Sequence, residues 1–216
     1  MQRKEKKKIR WYFDFISPFA YLQFKQLTSI LLERDDFELE YVPVLFAGIL
    51  KHHCNKGPAE ISSKRLMTYR FCHWYAEKHH IPFCMPAGHP FNPLPLLRLA
   101  IALDCGQDII ARLFHHVWVD SKTNADFFSV DALSRLPQLE RAADLVANPL
   151  VKSKLKSNTE YAIGEGVFGV PTIAIDGKLF WGVDMTEMAF AFMDSVDYYQ
   201  SSEYQRIEQL PIAQGR

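Results

Sequence analysis

The chain contains no Cys-x-x-Cys pair, no excess of either charge and no long apolar run, and each absence narrows what it can be. Its four cysteines, Cys54, Cys72, Cys84 and Cys105, stand far apart among 216 residues. A disulfide framework is therefore not expected, and reduced thiols are the simpler account. Lys and Arg number 25, as do Asp and Glu, so the formal net charge is zero. That gives no electrostatic reason to expect nucleic acid as a partner. No uninterrupted apolar stretch approaches the ~18 residues of a membrane span. The basic start, Arg3 to Arg10 with Glu5 as its one acid, reads as a solvated leader. The apolar residues behind it, Trp11 to Phe24, are interrupted by Asp14 and Pro18. No small-x-small cleavage site follows, so a signal peptide is not expected and the anticipated location is cytoplasmic. Internal repeats and low-complexity segments are also missing.

Apolar residues make up 48% of the chain. A chain of this size buries roughly 70% of its unfolded surface, which needs no metal or disulfide staple. Ile9 to Phe15, rich in β-branched and aromatic residues, reads as a buried strand. Ser17 and Pro18 then open a helix, with apolar residues at Ala20, Tyr21, Phe24, Leu27, Ile30 and Leu31. A second strand is expected over Phe37 to Val44, and the strand–helix–strand order implies a parallel pair. Strand signals then fade. Helices are expected over Ile61 to His80, Leu94 to Asp104, Asp108 to Val119, Ser129 to Leu136 and Pro149 to Gly164. That is a helical insertion, too long to be a loop. Thr172 to Asp176 and Lys178 to Trp181 form two short strands joined through Asp176-Gly177. Asp184 opens a last helix continuing through Met185, Met188, Ala189 and Phe192. The expected fold class is α/β: a thioredoxin-like βαβ…ββα domain (1–45 and 165–216) with an all-helical insertion domain (46–164).

Three loops should converge in this arrangement. The first carries Ser17 at a helix N-terminus, where a partial positive charge and unpaired N–H groups favour an anion. Read alone, Ser17 is simply a helix cap. The second, Gly166 to Thr172, places Pro171 directly before a strand, which suggests a cis peptide exposing the backbone of Val170 to a ligand. The alternative is an ordinary turn proline. The third, Phe180 to Asp184, puts an acidic side chain beside backbone N–H groups, and its plain reading is again a cap.

Together these segments resemble the glutathione-dependent branch of the thioredoxin superfamily. Within it, the chain is similar to the DsbA-related group of kappa-class glutathione transferases and 2-hydroxychromene-2-carboxylate isomerases. The likeness spans essentially the whole sequence: FDFISPFAYL, Asn55-Lys56-Gly57-Pro58, FNPLPLLR, GVFGVPT and W-G-x-D. Redox relatives carry Cys-x-x-Cys where this chain has Ser17-Pro18-Phe19-Ala20, so thiolate-driven disulfide exchange is not expected there. The resemblance implies a glutathione site in which Ser17 hydrogen-bonds the sulfur and Phe19 lies at the mouth. By the same likeness, Val170 and Pro171 meet the cysteinyl backbone. Trp181, Gly182, Val183 and Asp184 hold the γ-glutamyl end, and Asn55 reaches in from the insertion. Ser17 is the implied catalytic residue. The implied activity is a glutathione-dependent isomerase, with a kappa-like transferase as the alternative. The implied partners are a small aromatic or unsaturated substrate and a second copy of the chain in a homodimer.

Departures from the isomerase pattern fall on the substrate side. Its lysine, asparagine and tyrosine correspond to Leu50, Glu60 and His89, and the polar residue and arginine flanking the aspartate correspond to Val183 and Met185. A carboxylate substrate would then need Lys51, Lys56 or Lys64 as its cation. Two other readings stay open. One is a zinc site among His52, His53, Cys54, Cys72, His73, His79, His80, Cys84 and His89, although their spacing matches no compact motif. The other is a binding or chaperone-like module that has kept the fold without catalysis.

Overall fold

The computed structural model describes residues 6–120 and 128–211. Its sheet has four strands in the order β2-β1-β3-β4: β1 (Lys7–Phe13), β2 (Phe37–Pro43), β3 (Thr172–Ile175) and β4 (Lys178–Trp181). β1 runs parallel to β2 and antiparallel to β3, which pairs antiparallel with β4. The register sets Trp11 between Tyr41 and Ile173, and Tyr12 between Val42 and Thr172. This is the βαβ…ββα order expected from the sequence.

β1 is apolar over its last three residues, Trp11 to Phe13, because both faces are covered there. Ile9, Trp11 and Phe13 point to one core and Tyr12 to a smaller one on the opposite face, as the period of two requires. The larger core continues into the helices between β2 and β3. Phe114 there lies 5.6 Å from Phe13 and 4.7 Å from Phe15, centroid to centroid, and Trp11 stacks on Phe13 at 4.5 Å.

The helices are α1 (Pro18–Glu33), α2 (Phe46–His52), α3 (Ser62–Lys78), α4 (Leu94–Ala102), α5 (Gln107–His115), α6 (Val130–Leu133), α7 (Ala142–Ala147), α8 (Pro149–Gly164), α9 (Thr186–Asp194) and α10 (Ser202–Glu208). α8 begins as the sequence suggests, with Pro149 in its first turn and the Asn148 side chain accepting the Leu150 N–H at 2.9 Å.

Several boundaries differ from expectation. The basic start is not wholly a leader, since β1 already includes Lys7, Lys8 and Arg10. Lys7 Nζ donates to the Met193 carbonyl at 2.8 Å, and Arg10 is held by Glu165. Arg3, Lys4 and Glu5 of that run lie outside the described residues. β1 stops at Phe13 because the Asp14 carboxylate accepts the Ile16 N–H and its carbonyl accepts the Ser17 N–H, which bends the chain. The helix expected over Asp108 to Val119 changes at His116 into a π-helical turn, His116–Asp120. Asp184 does not cap the helix after β4. It sits inside a 3-10 turn, Val183–Met185, that follows Gly182 at φ +101°, and α9 starts at Thr186. Nor is α9 the last helix: α10 follows, with Ser201 Oγ accepting the Tyr204 N–H. Among the described residues, no helix is long and apolar enough to cross a membrane.

Candidate functional site

Ser17 caps α1 and is only 7% exposed. Its Oγ accepts the Ala20 N–H at 3.2 Å and lies 3.5 Å from the Val170 carbonyl oxygen. α1 and the loop before β3 thus meet at this hydroxyl. The Val170-Pro171 peptide is cis, as its glycine-flanked context suggests. Among the described residues the Val170 N–H has no acceptor. The turn around it is tied down by Thr172 Oγ1 donating to the Gly169 carbonyl at 2.8 Å and the Gly182 N–H donating to the Pro171 carbonyl at 2.9 Å.

The third loop comes to the same place through Gly182. Trp181 lies over Gly169 so closely that a Cβ there would stand 2.5 Å from the indole Nε1. Its ring also meets Phe168, centroids 5.1 Å apart. The Asp184 carboxylate turns back over Gly182, where a Cβ would lie 2.5 Å from Oδ1. Asp184 is exposed and Trp181 is 50% exposed. Val183, by contrast, is buried in the core, so only its backbone can face a ligand.

A buried amide network, not anticipated from the sequence, fixes this third loop to α1. Gln23 is fully buried. Its Oε1 accepts Trp11 Nε1–H at 2.7 Å, and its Nε2 donates to the Gly182 carbonyl at 2.8 Å and to Thr186 Oγ1 at 3.0 Å. Gln26 extends the network from Thr186 to the Tyr75 hydroxyl on α3. The helical segment also covers the mouth on another side, where Phe19 meets Phe71 at 5.9 Å.

Asp14 lies beneath the Ser17 loop and is fully buried. Burial pushes its carboxyl up to about 7, against the opposing effect of N–H bonds from Phe46 and Ile16. The sequence offered it only as a break in an apolar run. The sole signal was a carboxylate inside an otherwise apolar strand end.

Asn55 is exposed beyond α2 and uses its Oδ1 locally, accepting the Lys56 N–H at 2.8 Å. Among the described residues, no hydrogen bond joins it to Ser17 or Asp184. Two residues before it, His53 Nε2 donates to the Val167 carbonyl at 3.2 Å. Glu60 is occupied by the Gly57 N–H at 2.6 Å. His89 reaches the Ser17 loop itself, with Nε2 at 2.8 Å from the Ile16 carbonyl. Lys51, Lys56 and Lys64 are all exposed. Among the described residues, no group of three or more His, Cys, Asp or Glu could hold a metal ion. Cys72 is buried, which pushes its thiol up to about 12.

The family model described as "DSBA-like thioredoxin domain" matches residues 8–191. The chain is 25% identical over 199 residues to a 2-hydroxychromene-2-carboxylate isomerase of Sphingobium xenophagum, covering 87% of this chain and 98% of that one. It is 26% identical over 186 residues to glutathione S-transferase kappa 2 of Caenorhabditis elegans, covering 79% and 81%. A solved structure of a 2-hydroxychromene-2-carboxylate isomerase superposes with a TM-score of 0.72 at 22% identity, over 90% of this chain and 100% of that one.

Proposed function

The chain belongs to the DSBA-like thioredoxin domain family, and we propose that it is a glutathione-dependent isomerase resembling 2-hydroxychromene-2-carboxylate isomerase. The observation that carries this reading is Ser17 Oγ at the start of α1, facing the carbonyl of Val170 beside a cis proline. The residues present fit the tripeptide. The Val170 N–H has no acceptor among the described residues, the Asp184 carboxylate suits an ammonium, and the N-terminus of α1 suits a negative sulfur.

Glutathione supplies a thiolate that adds to an unsaturated carbon and leaves after bond rotation. The chain's part is to hold and ionise that thiol. A free thiol titrates near ~8.5, so only a few per cent is thiolate at neutral pH. The α1 terminus supplies roughly 0.3–1 kcal/mol, up to about 2 when partly buried. One pKa unit is about 1.4 kcal/mol. The dipole therefore lowers the thiol by about one unit, and a hydrogen bond from Ser17 Oγ to the charged sulfur adds a comparable shift. Ser17 is thus a thiolate stabiliser, with Val170 and Asp184 positioning the tripeptide.

A kappa-like transferase, leaving the sulfur attached to an electrophile, is the second reading. Similarity to a kappa transferase at 26% identity, against 25% for the isomerase, supports it. The reading includes a homodimer in the cytoplasm. Thermal unfolding with reduced glutathione tests the shared premise. At a hundredfold excess over the dissociation constant a specific site gains about 2.7 kcal/mol; no gain removes the premise. Assays with a hydroxychromene carboxylate and with chlorodinitrobenzene then separate the two activities.

A further inference from the structure

The buried amide network has a direction, and its outer end is a tyrosine on α3. An indole N–H only donates, so Gln23 Oε1 accepts from Trp11 and Gln23 Nε2 carries two hydrogens. Those go to the Gly182 carbonyl at 2.8 Å and to Thr186 Oγ1 at 3.0 Å. Thr186 has a single hydroxyl hydrogen to pass on. Gln26 Oε1 takes it at 2.7 Å, nearer than the Val183 carbonyl at 2.9 Å. Gln26 Nε2 therefore meets the Tyr75 hydroxyl as a donor. The phenolic oxygen accepts, and among the described residues its own hydrogen has no acceptor.

Tyr75 stands at the Asp184 end of the site. Burial raises its phenol and the Asp184 charge raises it further, so the two groups lie within electrostatic reach. The hydroxyl accordingly keeps its hydrogen at neutral pH. The Phe71 ring links Tyr75 to the α1 side of the mouth, at 5.8 Å from Tyr75 and 5.9 Å from Phe19. The His79 ring, at 4.2 Å, and the bond from Gln26 hold the half-buried phenol in place. Asp184 is flanked by Val183 and Met185, whose side chains carry no hydrogen-bond donor. The γ-glutamyl end of glutathione bears an ammonium and a carboxylate on the same carbon. A carboxylate and a neutral O–H donor within reach of each other match that pair.

We propose that the Tyr75 hydroxyl donates to the α-carboxylate of the γ-glutamyl residue while Asp184 holds its ammonium. The inference rests on the glutathione reading above and names a contact from the helical segment. Each bond from Trp11 to Gln26 points its hydrogen toward Tyr75, which polarises the last O–H toward a negative acceptor. The network that fixes the Gly182 turn to α1 thus also sets the donor opposite Asp184. A thiol without a free amino-acid end, such as cysteinylglycine, meets neither group.

Calorimetric titration of the full chain with three thiols tests this without any turnover. They are reduced glutathione, an analogue with hydrogen in place of the α-carboxylate, and one with hydrogen in place of the α-amine. The wild type should bind the carboxylate-free analogue at least about tenfold more weakly than glutathione, because a hydrogen bond to a charged group is lost. Tyr75→Phe keeps the ring and should weaken glutathione and the amine-free analogue by a similar factor. The same variant should leave the carboxylate-free analogue unchanged. Asp184→Asn should show the reverse, weakening the carboxylate-free analogue and sparing the amine-free one. Equal losses of glutathione and the carboxylate-free analogue in Tyr75→Phe would mean that the hydroxyl only supports the fold, and overturn the contact. Full affinity of Tyr75→Phe for glutathione overturns it too. If that variant does not fold, equal affinity of the wild type for glutathione and the carboxylate-free analogue does the same. No binding of glutathione to the wild type defeats the glutathione reading and the contact with it.

Discussion

Ser17 Oγ stands 3.5 Å from the carbonyl oxygen of Val170, at the outer limit of a hydrogen bond, while accepting the Ala20 N–H at 3.2 Å. The hydroxyl hydrogen is therefore only weakly engaged, and turning it toward a better acceptor costs little. One of its two lone pairs is used as the cap. Ser17→Ala should fold and lose ~1 kcal/mol of stability from the missing cap. Urea midpoints measure this loss. A loss of several kcal/mol would mean that Ser17 supports more of the fold than its bonds indicate.

Asp14 should tilt the pH dependence of stability. Its folded carboxyl is raised to about 7 from the ordinary 3.8, because burial disfavours the charge. The folded chain thus keeps a proton that the unfolded chain has already lost. Its stabilising contribution is complete below the unfolded value and disappears as pH rises through the folded one. Denaturation midpoints should fall between about pH 4 and pH 7, and Asp14→Asn should flatten that slope. Parallel curves for the two proteins would contradict the assignment.

Gln23 links the site to the core. Gln23→Met keeps the volume but strands the Trp11 Nε1–H and removes the donor to the Gly182 carbonyl. An orphaned buried polar group costs about 1–3 kcal/mol. Glutathione affinity should fall as well, because the Gly182 turn carries Asp184. Equal affinity in a destabilised Gln23→Met chain would show that the turn holds itself.

Gly169 sets how Trp181 lies on the cis-proline turn. In Gly169→Ala the new Cβ would overlap the indole, and the half-exposed ring can swing outward. Stability should change by less than ~1 kcal/mol, while tryptophan fluorescence shifts and glutathione binds more weakly. Unchanged fluorescence and binding would remove Trp181 from the site.

The sheet, α1 and α8 were legible because their signals are local: apolar residues for the strands, Ser17-Pro18 as the start of α1, and the helical stretch from Pro149 for α8. Ser17, the Val170-Pro171 turn and Gly182-Asp184 do come together. Their convergence was expected from the order of the elements, since no local pattern measures distance between loops. Positive φ at Gly182 moved Asp184 from a helix cap into a 3-10 turn, and burial left Val183 with backbone alone. The contacts of Asp14, Gln23 and His89 were hidden for one reason. Each acts through a partner distant in sequence, such as Gly182 for Gln23 or Ile16 for His89.

The most direct test of the account is the ultraviolet titration of the glutathione thiol bound to the wild-type chain and to Ser17→Ala. The account predicts a thiolate that predominates near neutral pH in the wild type, and a bound thiol that titrates about one unit higher in the variant. An identical titration in the two proteins would contradict it.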